Sequence, residues 1–416
     1  MVRNQRYHLV TLGCPKNEVD SEKLAGTFIE EGMIPTDCLE DADLVVVNTC
    51  AFVEEARQES IDTILGLAEG RRDGAHLVVT GCMAERYGNE LVEALPEVDQ
   101  VIGFGVPVKV GKASERGRGL PVMDLLNLPR PASTRPWAYV KIAEGCDRAC
   151  GYCAIPSFRG LQRSRSQDAI LAEIKDLNVR EVVLVSQDLA SYGRDQGVGK
   201  KTIVPLINSV TRYVDRVRVL YLYPSEISND LIEAICATGV PYFDLSLQHV
   251  SRPLLRRMRR WGDGERFQNL LERIRHNEAK AIFRSNFIVG YPGETEEDHD
   301  ELLSFISGAQ LDWCGFFPFS EEVGTYASTL GDTVPSSLVT ERLCELSEIQ
   351  DAITASKRDK LIGKQIEVLV DEPGIGRTFR EAPEIDGVVL VPEKLQVGDF
   401  ATVSVTGALG PDLETI

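Results

Sequence analysis

Short apolar runs separated by amphipathic stretches mark the first part of the chain. Residues 7–12, 44–47, 77–80 and 98–102 are continuous enough to be buried strands, and 20–31 and 53–68 between the first three carry helical spacing. Strand and helix in alternation predict a parallel sheet, because parallel neighbours need a long crossover and a right-handed one packs back onto the sheet. The stretch Asn127-Leu-Pro-Arg-Pro-Ala-Ser-Thr-Arg-Pro136 then ends all periodicity. Its prolines supply no amide donor, so it reads as an extended connection at a domain boundary. A second series of apolar runs follows at 138–142, 181–186, 217–222, 243–247, 285–289 and 315–319, spaced by helical patterns at 167–177, 227–238, 264–277 and 295–307. This predicts a (β/α)6 partial barrel with its site at the carboxyl ends of the strands. Residues 338–360 have the polarity of an exposed helix. Alternating runs at 365–370, 387–391 and 400–406 around the turn-rich Glu372-Pro-Gly-Ile-Gly376 predict a small all-β barrel. The expected architecture is an α/β chain of three domains: a parallel α/β sheet over 1–125, the partial barrel over 133–356 and the small β-barrel over 357–416.

Charge narrows the function. The 416 residues carry a net charge of −19, which argues against a broadly basic nucleic-acid-binding surface. No apolar run reaches the roughly 18 residues of a membrane span, and a cytoplasmic protein is expected. Ten cysteines in such a chain point to metal or redox chemistry, because cytosolic thiols are kept reduced.

The densest signal is Cys146-Asp-Arg-Ala-Cys150-Gly-Tyr-Cys153, directly after the first barrel strand. Zinc would close such a site with a fourth Cys or His, and His8, His76, His249, His276 and His299 all lie far along the chain. Three thiolates suit a [4Fe–4S] cluster with one open iron, where a small molecule can chelate. A second set is dispersed: Cys14, Cys50 and Cys82 each sit where a strand of the first domain ends. Carboxyl ends of a parallel sheet lie side by side, so these three predict a second three-ligand cluster. Cys38, Cys236, Cys314 and Cys344 share no pattern and read as packing residues. Ser186-Gln187-Asp188 and Ser246-Leu-Gln248-His249 fall where barrel strands end, as ligand contacts or as solvated loop. Thr295 and Asp298 have capping-box spacing at a helix start, and Arg252, Arg256, Arg257, Arg259 and Arg260 read as a solvated helix face or a phosphate contact.

These residues resemble the methylthiotransferase family of radical S-adenosylmethionine enzymes, over all three domains. The resemblance is carried by Gly13-Cys14-Pro-Lys-Asn17 with Asp20-Ser21-Glu22, Asn48-Thr49-Cys50, Gly81-Cys82, Glu144-Gly-Cys146 through Cys153, and Ile288-Val-Gly-Tyr-Pro-Gly-Glu-Thr295. Pro15-Lys16, Ala154-Ile-Pro-Ser-Phe-Arg-Gly160, Gln248-His249 and Ala382-Pro-Glu-Ile-Asp-Gly387 resemble the RimO type, which modifies a ribosomal protein, more than the MiaB type, which modifies tRNA. The resemblance implies that Cys146, Cys150 and Cys153 bind the [4Fe–4S] cluster that cleaves S-adenosylmethionine to a 5′-deoxyadenosyl radical. It implies that Cys14, Cys50 and Cys82 bind an auxiliary [4Fe–4S] cluster carrying the sulfur, and that a second S-adenosylmethionine gives the methyl group. Gln187, Gln248 and Asn286 are the position-based candidates for S-adenosylmethionine contacts. The implied product is a methylthio group on the β-carbon of an aspartate in small-subunit ribosomal protein S twelve, with an electron donor such as flavodoxin or ferredoxin.

The last domain resembles a TRAM domain, a fold usually linked to RNA. Residues 361–416 nevertheless hold four basic residues (Lys364, Arg377, Arg380, Lys394) against ten acidic ones, a net −6. Such a surface repels phosphate and attracts a basic protein. The rivals are a tRNA adenosine methylthiotransferase and, from another class, a non-catalytic iron–sulfur or zinc protein that binds the ribosome.

Overall fold

The computed structural model describes residues 5–108, 124–197 and 202–416. They divide into two compact units, one drawn from Met1–Ala132, Ala143–Asp147 and Ala154–Ala169, the other from Ser133–Ile142, Arg148–Cys153 and Ile170–Ile416.

In the first unit the chain runs β1 (Arg6–Thr11), α1 (Pro15–Glu30), β2 (Ile34–Pro35), β3 (Leu44–Thr49), α2 (Glu54–Gly70), β4 (His76–Gly81), α3 (Cys82–Ala94) and β5 (Gln100–Val101). The strands pair in parallel in the order β2-β1-β3-β4-β5. β3 is central and wholly buried, which is why it opens on the continuous apolar run Leu44-Val-Val-Val47. Its successive residues feed opposite faces: Val45 and Val47, with Leu77 and Val79, meet Ile64 of α2, whereas Leu44, Val46 and Val78 meet Leu24 and Phe28 of α1. Helix α3, absent from the sequence reading, follows β4 without an intervening residue. Gly88 breaks its helical backbone (φ 36°, ψ −99°). The proline stretch also differs from expectation, since its first residues pack along α1. Lys23 Nζ donates to Leu126 O at 2.7 Å, Arg130 pairs with Glu22 at 2.7 Å, and a Cβ on Gly26 would meet Pro129 O at 2.8 Å.

The chain continues through β6 (Trp137–Lys141) and then contributes to the first unit a short hairpin, β7 (Ala143–Glu144) with β8 (Arg163–Ser164), enclosing α4 (Ile155–Arg159). The second unit then adds α5 (Gln167–Leu177), β9 (Glu181–Val185), α6 (Ile203–Val210), β10 (Arg216–Val219), α7 (Asn229–Cys236), β11 (Tyr242–Gln248), α8 (Arg252–Arg257), α9 (Gly264–Asn277), β12 (Ile282–Val289), α10 (Glu296–Ala309), β13 (Trp313–Pro318) and α11 (Ser336–Asp359). Two parallel sheets, β6-β9-β10 and β11-β12-β13, are joined by a parallel bridge between Leu222 and Leu245. Together they make the expected partial barrel. The capping box at Thr295 and Asp298 is present. Helix α11 is not the exposed helix its polarity suggested: Leu346 and Ile353 are buried, and so are its polar Gln350, Thr354 and Arg358. Two of them meet backbone carbonyls: Gln350 Nε2 donates to Leu311 O at 3.2 Å and Thr354 Oγ1 to Asp312 O at 2.9 Å.

The same unit ends in β14 (Gln365–Glu372), β15 (Ile375–Arg377), β16 (Val389–Leu390), β17 (Phe400–Leu409) and β18 (Asp412–Thr415), closed as β14-β15-β16-β18-β17 around Val368, Val370, Val389, Val403, Val405 and Leu413. A buried ionic network fixes this barrel to the partial barrel. Glu181, at the start of β9, accepts from Arg218 at 2.9 Å and from Arg377 at 3.3 Å, and Arg377 also pairs with Asp371 at 2.5 Å. Arg358 of α11 pairs with Glu381, and Tyr242 Oη donates to Asp386 at 2.6 Å.

Two outcomes follow. Glu181→Ala removes the carboxylate that two buried guanidinium groups share, so unfolding should become easier by about 3–5 kcal/mol in urea titrations; a change within about 1 kcal/mol would show that the network adds little. Burial raises the Asp386 carboxyl from 3.8 to about 6, against the opposing pull of Arg284 and the Tyr242 hydroxyl. A carboxyl that holds its proton more tightly when folded stabilises the fold at low pH, and that contribution is lost as pH rises from 3.8 to about 6. Asp386→Asn, which cannot titrate, should therefore gain stability relative to the parent between pH 4 and 7, and a pH-independent difference would contradict the shift.

Candidate functional site

In the first unit the topology brings the dispersed cysteines to one sheet edge. β1, β3 and β4 are neighbours in register, Leu12 N–H donating to Asn48 O at 2.9 Å and Thr49 lying opposite Gly81, so the turns that follow them stand side by side. Cys14 is the N-cap of α1, Cys50 follows β3 directly, and Cys82 opens α3. Gly13 sits at φ +93°, and a Cβ there would lie 2.7 Å from Cys50 Cβ and 2.8 Å from its Sγ; only glycine lets the two turns close. Asn17 ties the turns together, its Nδ2 donating to Leu12 O at 2.8 Å and Thr49 O at 3.0 Å, while Asn48 Nδ2 donates to Asn17 O at 2.8 Å.

The three thiols sense one another electrostatically. Burial pushes Cys50 up to about 11, with Cys82 and Cys14 adding to the rise, and burial likewise raises Cys82. Burial opposes ionisation of Cys14 as well, but Lys16, Arg159 and two backbone N–H groups outweigh it and leave that thiol lowered. Arg159, at the end of α4, donates to Cys82 Sγ at 3.0 Å and to Asn17 Oδ1 at 2.6 Å. Among the described residues no three His, Cys, Asp or Glu side chains converge tightly enough to hold a single metal ion. A cubane takes its thiolates at separate corners, and an all-sulfur donor set is the kind that selects iron–sulfur clusters.

The second cysteine set lies on the loop after β7. Gly145 (φ +79°) precedes buried Cys146, whose N–H donates to Gly160 O at 3.0 Å. In the second unit Gly151 N–H donates to Met258 O at 2.8 Å and Gly151 O accepts from Ala327 N–H at 2.7 Å, which pins the backbone between Cys150 and Cys153. Arg260 donates to Cys150 Sγ at 3.4 Å and to Ser246 O, its guanidinium 4.2 Å from the Tyr223 ring centre. Arg148, inside the cysteine motif, covers the same ring at 4.0 Å and bonds Asp188 at 2.6 Å and Glu226 at 2.8 Å.

Of the S-adenosylmethionine candidates, Gln187 follows β9 and Gln248 ends β11 at a bulge, with φ +74°, so both stand at carboxyl ends. Asn286 is within β12, where Arg284 donates to it at 3.4 Å. Asp188 is engaged by Arg148, and His249 is fully buried, its Nδ1 accepting from Ser251 N–H at 3.1 Å and burial pushing it down to about 4; neither belongs to a solvated loop. In the arginine run Arg252, Arg256, Arg257 and Arg259 are exposed, as a solvated face requires, although Arg257 donates to Pro292 O and Arg259 covers Tyr326; Arg260 departs from it and sits on Cys150. Cys38 and Cys344 are exposed, which corrects their reading as packing residues; Cys236 and Cys314 are at least half-buried. A cleft of about 240 Å³, lined among others by Arg275, Lys280, Lys357, Lys360 and Arg380, opens beside the first residues of β12, at the opposite end of the strands from Gln248. Sequence reasoning missed the roles of Arg148 and Arg159, whose one signal is nearness to a cysteine or a glycine turn, and named Arg260 only as part of a solvated or phosphate-contacting run.

Gly13→Ala tests the first site. The protein should stay folded by circular dichroism yet retain less iron after anaerobic reconstitution, by the content of one cluster, and unchanged iron would show that this turn does not shape a metal site.

Three family models match: Uncharacterized protein family UPF0004 over residues 6–103, the Radical SAM superfamily over 140–306 and the TRAM domain over 362–415. Among curated relatives, proteins named ribosomal protein uS12 methylthiotransferase RimO are similar along nearly the whole chain. The one from Aquifex aeolicus is 42% identical over 97% of this chain and 95% of its own, that from Kineococcus radiotolerans 40% over 97% and 96%, and that from Thermotoga maritima 40% over 96% and 96%. In fold, the chain is similar to TsrM, a radical S-adenosylmethionine methyltransferase from Kitasatospora setae, with a TM-score of 0.51 and 13% identity over 95% of this chain and 84% of that one. With sequence similarity of this extent and the cysteine-bearing turns in place, the chain belongs to the RimO family of radical S-adenosylmethionine methylthiotransferases.

Proposed function

We propose that the chain is the enzyme that methylthiolates the β-carbon of an aspartate in ribosomal protein uS12, with S-adenosylmethionine as both radical source and methyl donor. Cys146, Cys150 and Cys153 hold one [4Fe–4S] cluster and Cys14, Cys50 and Cys82 the auxiliary one. When bound, the clusters and S-adenosylmethionine would between them supply the one-electron cleavage of the sulfonium, the sulfur and the methyl group, none of which a side chain can supply. The chain's own residues hold and shield. Arg260 places a cation against Cys150, Arg148 locks the loop onto Asp188 and Glu226, and Gln187, Gln248 and Asn286 offer polar contacts to S-adenosylmethionine. No helix among the described residues is long and apolar enough to cross a membrane, in keeping with work in the cytoplasm beside ribosomes. The electron comes from a small donor such as flavodoxin or ferredoxin. The domains run 1–125, 133–356 and 357–416.

The surface of the last barrel supports the choice of substrate. Of its four basic residues, Arg377 is buried against Asp371 and Glu181 and Arg380 is half-buried, which leaves Lys364 and Lys394 exposed. Glu367, Glu372, Glu384, Glu393, Asp399 and Glu414 are all exposed. Phosphate finds few partners there, and a basic protein finds many.

Mass spectrometry after anaerobic incubation of the reconstituted enzyme with S-adenosylmethionine, reductant and either uS12 or unmodified tRNA should give a methylthio increment on an aspartate of uS12. An increment on a tRNA adenosine would overturn the substrate. Cys150→Ala should abolish deoxyadenosine release, whereas Cys50→Ala should keep it and lose the methylthiolated product; a product from Cys50→Ala would refute the auxiliary assignment.

A further inference from the structure

Arg159 is a charged side chain taken out of water, its guanidinium region only 3% exposed, and its contacts fix it in one pose. Nη1 donates to both carboxylate oxygens of Glu144, at 2.9 and 3.0 Å, and lies 3.4 Å from Asp20. The ring of Phe104 lies 4.6 Å from the guanidinium carbon. Nη2 is thereby aimed at two acceptors, Asn17 Oδ1 and the sulfur of Cys82. Asn17 is the same residue that ties the turns bearing Cys14 and Cys50, so the guanidinium is braced by the site's own frame. A fork of this kind presents its donors in a fixed plane, which an ammonium cannot copy.

We propose that Arg159 is a positioning residue for the auxiliary cluster, donating to the Cys82 sulfur and setting the cluster's reduction potential. The proposal rests on Cys14, Cys50 and Cys82 holding that cluster. A cation and an N–H donor beside a ligating sulfur stabilise the more negative, reduced state, so the arginine raises the potential. The two carboxylates keep it from swinging away. They also limit its effect, because part of its charge is already matched.

The experiment uses the full chain with Cys146, Cys150 and Cys153 replaced by Ala, so that any cluster formed is the auxiliary one. Iron and sulfide are assayed after anaerobic reconstitution, and the one-electron reduction is followed by electron paramagnetic resonance, with dithionite supplying the electron. Absence of iron in the Arg159 parent would sink the cluster assignment itself. With about four irons bound, Arg159→Gln should move the midpoint to a more negative value, and Arg159→Lys, which keeps the charge and loses the fork, should move it in the same direction by less. An unmoved midpoint in a folded, iron-loaded variant overturns the proposal while leaving the cluster assignment standing. Loss of iron from folded Arg159→Lys overturns it as well, since the residue would then be needed for assembly. Should Arg159→Gln fail to fold by circular dichroism, Arg159→Lys alone decides, by the same shift.

Discussion

A guanidinium group removed from water must be matched by acceptors in a fixed plane, and both units use that demand to hold elements where packing alone would leave them free. Arg159 joins the α4 segment to the sheet edge that bears Cys82. Arg148 and Arg260 clasp the ring of Tyr223 and fix the loop of Cys150 to the ends of the partial barrel. Arg218, Arg358 and Arg377 converge on Glu181 and Glu381 between the partial barrel and the β-barrel. Buried pairs of this sort add little net stability against an apolar substitute, but breaking one is expensive, which makes them good fixings for a particular arrangement.

The strands were legible wherever burial was symmetrical. β3 and β9 are enclosed on both faces, so apart from Asn48 and Glu181 every position is apolar or β-branched and the run declares itself. The dispersed cysteines were legible for a topological reason, since parallel neighbours bring their carboxyl ends together whatever the sequence distance. What escaped was set by tertiary contact. Helix α11 looks solvated because polarity is all that a sequence displays, yet Gln350 and Thr354 are polar in order to meet the carbonyls of Leu311 and Asp312. In the arginine run, the step from a solvated Arg252 to a buried Arg260 depends on where the turn after α8 places each side chain.

Charge divides in the same way. A net −6 over the last domain is visible by counting, but its meaning depends on which charges reach solvent. The fold withdraws Arg377 together with Asp371 and Glu381 and leaves Lys364 and Lys394 facing six exposed carboxylates, so the surface keeps the acidic sign of the count. The inward arginine has one cause: Glu181 and Asp371 need a buried cation, and the barrel supplies it from its own small stock.

The thiols carry the last step of this reasoning. Cys50 and Cys82 are buried deeply enough that forming a thiolate without a counter-charge is disfavoured, while Cys14 is already biased toward it by Lys16 and Arg159. Gly13 and Asn17 nevertheless hold all three on adjacent turns, so the geometry of the site is set by the backbone whatever the ionisation of its thiols.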